Sequence, residues 1–109
     1  MEGPILERDW KYLRTIQAEM LHELCSGILK KAVKISDDEG RTPHEKYALL
    51  FRHIKESDDV IADCFDNWRR SRIRVIVLNL RRHKLLTDDR LKGLSEKAQK
   101  WLHMVEEAL

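Results

Sequence analysis

Apolar side chains recur at steps of three and four along almost the whole chain, and that spacing restricts the fold more than any other feature. From Trp10 they run through Leu13, Ile16, Met20, Leu21, Leu24, Cys25, Ile28, Leu29, Ala32, Val33 and Ile35. An α-helix takes about 3.6 residues per turn, so most of these fall on one side of a single long helix. The 109 residues include only 4 Gly and 2 Pro, too few turn formers for a small β-sandwich or barrel. Apolar residues make up 42% of the chain, which excludes a disordered polymer. Uninterrupted apolar runs such as Val75-Ile76-Val77-Leu78 are far too short to cross a membrane. A chain of this length suits one domain around one modest core.

Local signals divide the pattern. Asp9 is placed to cap the first helix. Ser26-Gly27 interrupts its middle, and the glycine implies close packing against a neighbouring helix, a kink, or a functional hinge. Ser36-Asp37-Asp38-Glu39-Gly40-Arg41 is a polar, turn-rich break. Thr42-Pro43-His44-Glu45 then combines an N-cap, a proline at the first helical position and the glutamate of a capping box. The helix it opens carries Tyr47, Leu50, Phe51 and Ile54 at helical spacing, continued by Ile61, Phe65 and Trp68. Ser57-Asp58-Asp59 either restarts a helix or is simply crossed by this one.

The stretch 73–78 is rich in β-branched residues and resembles a strand, but the chain offers no second strand to pair with it, so it reads as helix. Its apolar residues lie on several sides: Ile73, Ile76, Val77 and Leu80 on one, Val75 and Leu78 on others. A helix of that kind is buried on several sides or meets a second subunit. His83-Lys84 suits a helix C-terminus. Thr87-Asp88-Asp89 opens a short helix that Gly93 ends, and Ser95-Glu96 caps the last one. The three tryptophans, Trp10, Trp68 and Trp101, are then expected in three different helices, each anchoring its element to a shared core.

Net charge is only +2, but the charges come in blocks. Residues 36–66 hold four basic and nine acidic side chains. Residues 67–84 hold seven basic ones (Arg69, Arg70, Arg72, Arg74, Arg81, Arg82 and Lys84) and no acid. Exposed together, Arg69, Arg70, Arg74, Arg81 and Arg82 form an anion- or partner-binding surface, nucleic acid being the simplest anion. Folded against Asp58, Asp59, Asp63 or Asp66, the same block is neutralised within the chain or between subunits. A helix-turn-helix over 85–109 fits poorly, because its recognition helix would open on Ser95-Glu96 and the segment is net acidic.

No arrangement suited to catalysis stands out. Glu19-Met20-Leu21-His22 has the E-x-x-H spacing of di-iron bundles, but no second copy exists on another helix. His22 and Cys25 share a helix face without a sequence-visible orienting group or oxyanion hole. Glu56, Asp59, Asp63 and Asp66 form an acidic ridge that reads as a solvated face, or as the partner of the arginines, before it reads as a Mg²⁺ or Mn²⁺ site. The glycines are too scattered to cradle a phosphate.

These observations predict an all-α, single-domain bundle of four to five helices over residues 1–109, with 1–8 a flexible N-terminal tail and a long central segment at about 43–84. Cys25 and Cys64 are scattered thiols, which suits a reducing compartment. With no signal-peptide features at the N-terminus, a cytoplasmic location is expected. The functional expectation is a non-enzymatic helical protein working through a protein partner or as a homodimer, with no cofactor, no metal, no membrane and no small-molecule substrate. The alternative is a nucleic-acid-binding module built on the arginine-rich helix 69–84.

Overall fold

The computed structural model describes residues 3, 5 and 7–109. Among them, five α-helices follow one another: α1 (Glu7–Ser36), α2 (Pro43–Phe65), α3 (Ile73–Arg82), α4 (Asp88–Leu91) and α5 (Glu96–Ala108). A single 3₁₀ turn, Arg70–Arg72, precedes α3. No strand occurs among the described residues, and 73–78 is helical. The all-α expectation holds.

The turn signals act as their chemistry demands. After α1, Asp38 Oδ1 accepts a hydrogen bond from Gly40 N (2.9 Å), which closes the polar break. Thr42 Oγ1 accepts from Glu45 N, and Glu45 Oε1 accepts from Thr42 N, both at 3.2 Å, with Pro43 at the first helical position. Thr87 and Ser95 cap α4 and α5 through Arg90 N and Ala98 N.

Several local expectations need correction. Of the two readings at Ser57 the crossing holds and the restart does not: α2 passes through unbroken, and Ser57 Oγ donates to His53 O (2.7 Å), satisfying itself inside the helix. The chain breaks instead at 66–69, where Asn67 takes a left-handed φ of 54°, a conformation asparagine tolerates better than most residues. Trp68 therefore lies in the connection rather than in a helix. Its ring stacks near Phe65 (6.2 Å) and tilts against Trp10 (5.6 Å), while its indole N–H donates to Cys64 O (2.6 Å). Asp9 is not a cap, since α1 already begins at Glu7. Of the expected tail, Glu7 and Arg8 are helical and Ile5 packs on the core; residues 1, 2, 4 and 6 lie outside the described residues. Gly27 is neither closely packed nor a break: a Cβ there would meet nothing within 4 Å.

The core occupies one end of the molecule. Trp10, Leu13 and Met20 from α1, Cys64 from α2, Ile76, Val77 and Leu80 from α3, and Leu86, Leu94 and Leu102 beyond it are buried together. From Leu21 to Glu56 no side chain reaches full burial. The outer half of α1 and most of α2 therefore project as an antiparallel two-helix arm, and the whole measures 58 × 26 × 22 Å. Within the arm, His53 Nε2 lies 2.8 Å from Ile28 O, so the imidazole carries its proton on that nitrogen and bridges the two helices.

Polar ties lock α4 and α5 onto the base of α1. Asp9, fully buried, accepts from Ser95 N (2.6 Å) and from Ser95 Oγ (2.8 Å) at the N-terminus of α5, where the helix dipole favours a carboxylate. Tyr12 donates to Arg90 O (2.6 Å), and its ring lies against Gly93, where any Cβ would overlap it.

Candidate interaction surfaces

The arginine block disperses as it folds. Arg81 lies at the centre of a network, with Nε 2.8 Å from Glu106, Nη2 2.9 Å from Asp88 and Nη1 donating to Leu86 O (2.8 Å). The hydrogen bond it donates to Glu106 is the main reason its pKa rises above the ordinary arginine value. Arg70 pairs with Glu7 (2.7 Å) and Arg82 with Asp63 (3.5 Å). Arg72 turns back to the carbonyls of Asp66 and Asn67 (3.2 Å each), supplying donors just past the end of α2, where a helix has carbonyls to spare. Arg69 and Arg74 are exposed and have no acidic partner among the described residues. Among the described residues, Asp63 is the one of the four aspartates placed opposite the block that gives it a carboxylate, and the remaining counter-charges come from Glu7, Asp88 and Glu106.

A further embedded arginine lies outside the block. The Arg90 side chain is only 14% exposed and pairs with Glu19 (3.0 Å) and Glu23 (2.8 Å) while donating to Leu85 O (2.8 Å). The hydrogen bond to Glu23 is the largest influence holding its pKa up. Glu19 of the E-x-x-H pair is thus engaged by a guanidinium. Among the described residues, no three His, Cys, Asp or Glu side chains converge as metal ligands. His83 Nε2, 3.8 Å from Asp63, has no hydrogen-bond partner.

What the structure brings together instead is apolar. Leu29 and Val33 on α1, with Tyr47, Phe51 and Ile54 on α2, leave 65%, 58%, 68%, 60% and 41% of their surfaces in solvent. At about 100° per residue, Cys25, Leu29 and Val33 on α1 and Tyr47, Phe51, Ile54 and Asp58 on α2 project to one side of the arm. A groove lined by Cys25, Leu29, Ile54 and Ile61 runs along that side, whereas Lys31, Ile35, Leu49 and Arg52 line the opposite one. Asp9, Leu13, Met20 and Asp63, which meet the core and α3–α5, project to the opposite side too. The base therefore lies behind the arm, and the apolar side is open along its length.

The sequence shows these residues as a stripe but not its exposure. The one clue is width: Leu29 and Val33 sit about 100–140° around α1 from Ile28, more than one neighbouring helix covers. A second apolar groove, of about 500 Å³, lies between α3 and α5 and includes Val75, Leu78, Leu102 and Leu109. The several-sided α3 that motivated the homodimer is mostly satisfied within its own chain: Ile76, Val77 and Leu80 are buried, and Val75 is the large apolar residue left exposed. Among the described residues no helix is long and apolar enough to cross a membrane. No protein-family model, curated protein or solved structure matches this chain.

Proposed function

We propose that the chain is a helical docking protein without chemistry of its own. Its base, closed by α3–α5, holds out a two-helix arm whose apolar side binds another protein. The observation that carries this is the cluster of five large apolar side chains on one open side of a hairpin. Scattered single exposures are ordinary on protein surfaces, but a contiguous patch of several hundred Å² is what interaction sites present. The groove between the helices suits apolar anchors spaced as on an amphipathic helix.

A photo-reactive amino acid in place of Phe51, in the full chain expressed in cells, tests the arm, with the same residue at exposed Lys97 as control. A discrete cross-linked protein from position 51 and not from 97 is expected. No product from 51, or identical products from both positions, overturns the proposal.

Arg69 and Arg74 keep a second reading in play, the nucleic-acid module on 69–84. Each phosphate neutralised contributes about −0.9 to the slope of log affinity against log salt for duplex DNA. Two unpaired guanidinium groups predict a slope near −2, measured by mobility shift on random duplex at several salt concentrations. No retardation at low salt removes the nucleic-acid reading.

A further inference from the structure

We propose that the arm's apolar side is covered by a second copy of this chain, laid antiparallel so that each tip lies over the inner half of the other arm. This rests on the arm being a protein-docking surface and names its partner. The first support is register. Leu29 and Ile54 line the same groove, so a two-fold axis crossing the face at their level sets each against its own counterpart. Tyr47 and Ile61 are equidistant in sequence from Ile54, as Val33 and Cys25 are from Leu29. The same axis therefore places Tyr47 on the second copy's Ile61 and Val33 on its Cys25, and every large apolar residue of the face but Phe51 meets another apolar one.

Phe51, three residues before Ile54, falls within one residue of the second copy's Asp58, four residues after it and the single charge inside the α2 stripe. Charge complementarity explains that exception. Lys55 Nζ lies over the Phe51 ring, 5.8 Å from its centroid, at the position the second copy's Asp58 would reach. Neither Lys55 nor Asp58 has an oppositely charged partner among the described residues. The axis creates two such pairs per dimer.

Area is adequate as well. With aromatic side chains of about 150–250 Å² each, the five exposed residues supply on the order of 500 Å² per copy. A standard interface takes about 800 Å² per partner, and Cys25, Ile61 and the charged rim add to the five.

Sedimentation velocity and light scattering on the full chain test the proposal. The expected result is a dimer whose dissociation constant rises about tenfold or more with Lys55→Asp or Asp58→Lys alone and returns toward the original value when both changes share one chain. In a Cys25→Ser background, Ile54→Cys should form an intermolecular disulfide on mild oxidation, because the antiparallel axis brings the two copies of that position together. Circular dichroism checks that each variant keeps its helix content. A strict monomer at high concentration, with Phe51 cross-linking to a different protein in cells, overturns the second copy and leaves the docking arm standing. A strict monomer with no cross-link from Phe51 removes both. A dimer indifferent to both charge reversals, or without the position-54 disulfide, overturns the antiparallel arrangement.

Discussion

Asp9 shows how much one side chain does at the base. Both carboxylate oxygens are committed to Ser95, so the first turn of α1 and the N-terminus of α5 are joined across 86 positions of sequence. Asp9→Ala strands a buried N–H and hydroxyl, and hydrogen bonds to a charged group are worth about 1.5–3 kcal/mol each. A loss of about 2–4 kcal/mol is expected in urea unfolding, with the m-value unchanged. Gly27 predicts the opposite sign. It sits mid-helix in open space, so Gly27→Ala should gain about 0.5–1 kcal/mol by the same measurement. Gly93 differs from Gly27 because the Tyr12 ring occupies the space a Cβ would need. Sequence alone gives these two glycines no such distinction.

At the scale of elements, the capping box, the polar break and both later N-caps are local chemistry, and they form where their residues stand. The junction between α2 and α3 is not local. Asn79 Nδ2 donates to Asp63 O (2.9 Å), Arg72 reaches two carbonyls just past the end of α2, and Cys64 is buried beneath. Burial, and secondarily the Asp63 carboxylate, push the Cys64 thiol up from 9.0 to about 11. The native state thus resists the thiolate more than the unfolded chain does. That contribution is fully present below pH 9 and is lost as pH rises from about 9 to 11, amounting to about 2–3 kcal/mol at 1.36 kcal/mol per pKa unit. Denaturation midpoints measured across that window should fall for the native sequence and fall less for Cys64→Ala. Periodicity placed α2 correctly, but its end at 66–69 depends on donors from α3 that are adjacent only after folding.

The whole molecule is longer than its residue number requires. A compact chain of 109 residues has a radius of gyration of about 13 Å, against 17.0 Å here. Small-angle scattering on dilute monomer should return the larger value, and a value near 13 Å would mean that the arm folds back on the base. The elongation follows from where apolar residues find cover. Helical spacing, few turn formers and strong caps determined the all-α class and most helix starts from sequence, because those forces act within a turn or two of chain. Tertiary structure alone decided which stripes became core. Leu13, Met20 and Leu80 are enclosed by helices distant in sequence, while Leu29, Tyr47 and Phe51, spaced no differently, extend past the last helix able to cover them. The arginines were decided the same way, since Arg81 and Arg90 found carboxylates while Arg69 and Arg74 did not. Periodicity records which side of a helix is apolar; what lies against that side depends on the path of the rest of the chain.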